Sequence, residues 1–174
     1  MKSSASLHVA SKGHSAQHRR RGRRHHLVKV SDRFGLERFV AAQDQGGTYD
    51  AAVAELRSGC KRGHWMWFVF PQIAGLGQSP MARRYAIASL AEAGAYLAHP
   101  VLGPRLLECA RIVGDLEGKS AREIFGGIDA MKLRSSMTLF LRADPENALL
   151  RRVIDRYFGG VPDDATDRLL QTGS

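Results

Sequence analysis

Cysteine is scarce in this 174-residue chain: Cys60 and Cys109 are its two thiols. That excludes a disulfide framework and a structural zinc cluster, and it leads us to expect a reduced, cytoplasmic protein. No run of apolar residues approaches the roughly 18 that a membrane-spanning helix needs. Acidic and aromatic residues are absent from the first thirty positions, which instead carry eight of the 26 Lys and Arg residues and five of the seven His. Residues 31–174 are left with 18 basic against 17 acidic side chains, so the formal charge of +9 belongs almost wholly to the tail. A strongly basic nucleic-acid-binding domain is thereby excluded for the remainder. The tail also lacks the apolar stretch of a secretory signal.

What is present is enough apolar material, 44% of the chain, to offset the entropy of ordering a compact domain. The boundary falls where the composition changes: residues 1–30 read as a disordered basic tail and 31–174 as a single domain. Within the tail, Arg19-Arg20-Arg21-Gly22-Arg23-Arg24 would attract phosphate backbones by counterion release. Nucleic-acid contact, organelle targeting and a plain solvated extension all fit that composition.

Apolar spacing predicts helices throughout 31–174. Residues 32–45 read as one helix, and 48–58 as the next. Ser79-Pro80 opens a third, expected to run to about residue 98, with Leu90 inward. Residues 102–116 follow the His99-Pro100 break, with Pro104 in the first turn. Ser120 to Glu123 has capping-box spacing, and 129–142 carries Leu133, Met137 and Phe140 on one stripe, with Asp129 as its cap. Asp144-Pro145 marks a further start, and either Asp163 or Asp164 caps a last short turn. There is no succession of alternating strands and no repeat. Trp65-Met66-Trp67-Phe68-Val69-Phe70 fits neither periodicity. Its aromatic and β-branched content favours a strand, yet a lone strand would leave its backbone groups unpaired. A short buried central helix is the more consistent choice, and the fold class expected is all-α: a compact multihelical single domain.

The stretch Arg62-Gly63-His64-Trp65-Met66-Trp67-Phe68-Val69-Phe70-Pro71-Gln72, then Gly75-Leu76-Gly77, is distinctive. Together with Tyr85-Ala86-Ile87, residues 96–103, Ile124-Phe125-Gly126 and Lys132 to Phe140, it resembles the domain-of-unknown-function family number 1810. Bacterial members often carry the label calpastatin, a disordered protease inhibitor, which the helix caps and hydrophobic content of this chain contradict. The resemblance spans about 32–170. It implies an all-helical fold with a short buried central helix; it does not point to an activity.

Candidate chemistry clusters around the aromatic segment. Lys61, Arg62 and His64 precede it; Gln72, Gly75 and Gly77 follow it. Cations, loop N–H groups and the Trp65 and Trp67 faces are what an anionic, ring-bearing ligand requires. Nucleotide-like or phosphorylated metabolites are therefore the expected partners, against the plainer reading in which both tryptophans are core. Lys132 stands at helical spacing from Ser135 and Ser136, so either serine is a candidate nucleophile beside it, with His64 as a third catalytic candidate. Small polar residues also simply let helices pack. Arg83 and Arg84 are further cations for the same site, and Cys60 beside Lys61 is a candidate reactive thiol. No metal ligand set is recognised. The alternative to metabolite binding, with or without hydrolytic or transfer chemistry, is a non-catalytic protein-interaction module.

Overall fold

The computed structural model describes residues 32–173; the tail expected at 1–30 lies outside the described residues. Among them are ten α-helices: α1 (Glu37–Asp44), α2 (Thr48–Ser58), α3 (Met66–Val69), α4 (Pro80–Arg84), α5 (Leu90–Ala98), α6 (Leu102–Asp115), α7 (Ala121–Phe125), α8 (Gly127–Ala143), α9 (Ala148–Phe158) and α10 (Asp164–Thr172). A single 3-10 turn links α1 to α2. The all-α class expected from apolar spacing is what is found. No described helix is long and apolar enough to cross a membrane.

At the centre stands α8, packed against α5, α7, α9 and α10. From Ser135 to Leu141 it is buried without interruption, so its apolar residues surround the helix rather than form the narrow stripe read from the sequence. The α5–α6 corner depends on Gly103: a Cβ there would run into the Leu97 carbonyl oxygen, so only glycine lets the two backbones approach this closely.

The aromatic segment is a single buried turn, α3. Val69 N–H donates to Trp65 O and Phe70 N–H to Met66 O, at 3.1 and 3.0 Å. So short a helix leaves carbonyls without internal partners. The Phe68 carbonyl finds one in Gln43 Nε2 at 2.8 Å, with the Tyr96 hydroxyl at 3.4 Å. Arg105 in turn donates to Gln43 Oε1 at 3.2 Å and fixes the amide's orientation. A strand in this place would have needed a ladder partner on each side; a helical turn needs only this buried amide.

The helix expected from residue 80 to 98 is broken in two. Ile87 pairs with Ile73 in an isolated parallel bridge, donating from its N–H to Gln72 O and accepting from Ala74 N–H, both at 2.8 Å. The side chain of Arg38 takes up the carbonyls of Arg84 and Ala86 at 3.0 and 2.9 Å, which a continuous helix would have used internally. Ser89 then caps α5, and Leu90, expected inward, is 44% exposed. Two further starts move. Helix α1 begins at Glu37 because the Asp32 carboxylate holds the N–H groups of Leu36 and Glu37 in a preceding turn. The cap of α9 is Asn147 rather than Asp144.

Helix α10 is held to α8 by polar contacts. Asp163 caps α10 and also accepts from the Ser135 hydroxyl at 3.0 Å. Arg142 grips Asp167 with a two-pronged fork, both N–H···O distances being 2.8 Å. The guanidinium holds the Asp167 carboxyl below its ordinary value of 3.8. A carboxyl depressed on folding contributes stability above its unfolded value and loses it as the pH falls through the folded one. Because Arg142 is 40% exposed, solvent limits the fork to about 1 kcal/mol or less. Asp167→Asn should therefore be slightly less stable than the parent at neutral pH. The gap should close as pH drops below 3.8, read by urea unfolding at stepped pH.

Candidate functional site

The loop between α2 and α3 is shaped by one carboxylate. Glu55 accepts from the backbone N–H groups of Arg62 and Gly63 at 2.8 and 3.0 Å, and from Trp65 Nε1 at 2.8 Å. Burial pushes its carboxyl up, but these three donors outweigh it and leave the group below its ordinary 4.5. Lys61 N–H donates to Ile124 O at 2.8 Å, fastening the same loop to α7.

With the backbone held there, the Lys61 side chain folds inward until it is 7% exposed. Its ammonium lies 2.8 Å from Asp129 Oδ2, donates to Gly63 O at 2.6 Å, and sits 4.9 Å from the centre of the Trp65 ring. Lys132 approaches the other oxygen of Asp129 at 3.4 Å and lies 4.7 Å from the Trp67 ring centre. One carboxylate thus bridges two lysines, leaving a local balance of one positive charge.

Asp129 does not cap α8, as its sequence position suggested; it lies within the first turn, and the cap position is Gly126, at φ 79°. Glycine has no side chain to accept from the first-turn N–H groups, so those of Gly127 and Ile128 carry no side-chain cap. They border a pocket of about 370 Å³ whose other walls include Lys61, His64, Trp67 and Phe125. A second pocket of about 170 Å³ lies on another side of Trp67, lined by Gln72, Gly75, Gly77, Arg83 and Tyr85. Its loop packs tightly. A Cβ on Gly77 would collide with that of Ala82, and Gly75, at φ 100°, presses against Leu169.

The family model "Protein of unknown function (DUF1810)" matches residues 33–170. The chain belongs to that family. The crystal structure of the conserved hypothetical protein Rv1873 from Mycobacterium tuberculosis is similar to the DUF1810 chain described here, with a TM-score of 0.77 and 54% identity over 79% of this chain and 97% of that one. No curated protein matches the chain.

Of the residues singled out by sequence, the DUF1810 fold brings Lys61, His64 and Trp67 together around the larger pocket, with Lys132 beside it against the Trp67 ring, and Gln72, Gly75 and Gly77 around the smaller. Trp65 is 1% exposed, a core residue with its indole N–H spent on Glu55. Arg62 is exposed and lines neither pocket; its backbone, not its guanidinium, is what the loop uses. Ser135 and Ser136 do not adjoin the Lys132 ammonium. Helical side chains lean towards the N-terminus, so Lys132 reaches back to Asp129 rather than forward to either serine. The Ser135 hydroxyl is committed to Asp163 and Met131 O, and Ser136 is fully buried with no partner for its oxygen among the described residues. Neither is placed to act as a nucleophile.

Sequence reasoning missed Glu55 and the bridging role of Asp129. The Asp129–Lys132 spacing was visible, but Glu55 and Asp129 serve partners that only the tertiary fold brings near. Cys60 lines neither pocket, and Cys109 is fully buried, where burial pushes its thiol up to about 12. A thiol reagent at neutral pH should therefore modify Cys60 alone in the folded chain, and both cysteines after denaturation. Among the described residues, no three His, Cys, Asp or Glu side chains converge as a metal site would require.

Proposed function

We propose that this protein binds an anionic, ring-bearing metabolite of the nucleotide or phosphorylated-sugar kind in the larger pocket. The observation that carries the reading is the convergence of uncapped first-turn N–H groups of α8 with Lys61 and His64 around one cavity, flanked by Lys132 at Asp129 and Trp67. A helix N-terminus favours negative charge, and two ammonium groups add to that field. The volume, about 370 Å³, lies in the ordinary range for small-molecule sites. Trp67 supplies a ring face and Phe125 an apolar wall. With Ser135 and Ser136 outside the pocket, His64 is the acid–base candidate that remains in it, and the reading is one of binding.

Thermal denaturation of the full chain against nucleotides, dinucleotides and phosphorylated sugars tests this. A ligand at about 100 times its dissociation constant adds about 2.7 kcal/mol of stability. Lys132→Ala should remove most of the shift. A flat panel would overturn the reading.

A second reading, a protein-interaction module, draws on Ile128 and Met131, which stand 75% and 72% exposed at i, i+3 on α8. It predicts the flat panel.

A further inference from the structure

The two pockets share a wall, and the residues on either side of it differ in kind. The larger holds Lys61 and the first turn of α8, with Lys132 beside it at Asp129 and Trp67. The smaller is lined mostly by apolar groups, among them Ile73, Ala82, Tyr85 and Ala86, with the side chain of Gln72 as a neutral polar group. Trp67 belongs to both. We infer that the two form one composite site for a nucleoside phosphate, its phosphate at the α8 end and its base in the smaller pocket against Gln72. The inference rests on the anion-binding reading above and adds the identity and orientation of the ligand.

Size is the first support. The smaller pocket, about 170 Å³, compares with the roughly 150 Å³ cavity that admits a benzene ring, so it takes one planar ring and little more. Chemistry is the second. The Gln72 side-chain amide makes no hydrogen bond to another described residue, although its own carbonyl is fixed by Ile87 N–H at 2.8 Å. A side-chain amide on this fixed backbone, with donor and acceptor groups to offer, matches the edge of a nucleobase. The loop that follows runs so close to Leu169 at Gly75 and to Ala82 at Gly77 that a Cβ at either position would crowd its neighbour. Charge is the third. Lys61 lines the larger pocket and Lys132 flanks two of its lining residues, Asp129 and Trp67, whereas the cation of the smaller one, Arg83, is an exposed side chain within 3.4 Å of Gln78 Oε1. A ligand charged at one end and neutral and flat at the other fits this polarity in one direction only.

Isothermal titration of the full chain with adenosine, guanosine, cytidine and uridine monophosphates, and with ribose phosphate as the base-free probe, tests the assignment. The best nucleotide should bind at least about tenfold tighter than ribose phosphate, the scale of one well-made amide–base contact. Gln72→Leu should erase that difference while leaving ribose phosphate at its parent affinity. Lys132→Ala should weaken both probes. Tryptophan emission gives an independent readout: quenching by the nucleotide should disappear in Trp67→Phe, because Trp65 is sealed in the core. If ribose phosphate binds as tightly as every nucleotide, or Gln72→Leu weakens both probes alike, the base does not sit beside Gln72 and the inference falls while the anion site stands. If no probe binds the parent, both fall.

Discussion

Arg38→Met should cost the protein about 2–3 kcal/mol, below the roughly 3–5 kcal/mol of a fully buried ion pair broken by removing one partner, because the Arg38 side chain is 24% exposed. The guanidinium is a hub. It donates to the carbonyls of Phe34 and Gly35 at 2.8 Å each, to those of Arg84 and Ala86, and to Glu92 Oε1 at 2.8 Å. Glu92 is only 4% exposed at its side chain, and its other oxygen holds Ala88 N–H at 2.8 Å. Without Arg38, a buried carboxylate loses its counter-charge, and the non-helical link from α4 to α5 loses the donor that occupies its carbonyls. Arg38→Lys should recover only part of the loss, because a point ammonium cannot span five acceptors set around a planar fork. Urea unfolding of the two variants reads both effects. A loss under about 1 kcal/mol for Arg38→Met would place that pair among ordinary surface ion pairs and contradict this account.

Asp129→Asn should move two quantities in opposite directions. Stability should fall by about 2–3 kcal/mol, because Lys61 is nearly buried and loses its charge partner; the full cost of a broken buried pair is reduced here because Asp129 is 21% exposed. Affinity for a phosphate ester should rise, by about tenfold, because the pocket gains a net positive charge at close range. Thermal unfolding and titration with a nucleoside monophosphate check the two halves. Unchanged stability would mean that the Lys61–Asp129 pair is dispensable. A fall in affinity would mean that Asp129 itself holds the ligand.

The class of fold was legible because helical apolar spacing and local caps are short-range signals. The Ser120–Glu123 capping box and the Ser79 cap stand where their spacing put them, and of the two aspartates open as the last cap, Asp163 is the one used. The choice of a helical turn at Trp65 to Phe70 followed from counting backbone partners, although Gln43, which supplies the missing one, was not identifiable in advance. What failed was long-range. The break at residues 85–89 exists because Arg38 and Ile73 reach it from elsewhere in the chain, and no local pattern records that. At the site, the cations and rings flanking the aromatic motif were readable as a cluster. Their division into two pockets that share Trp67 was not, because the walls of each are assembled only by the tertiary fold. Spacing alone also paired Lys132 with the serines, whereas the lean of helical side chains turns it towards Asp129.

The central claim is that phosphate is received at the first turn of α8. Its most direct test is amide chemical-shift mapping of the isotope-labelled full chain on addition of a nucleoside monophosphate. The largest amide shifts are expected at Gly127 and Ile128, with the Trp67 indole N–H following them along the same titration curve. Shifts confined to other surfaces, or none at saturating ligand, would contradict it.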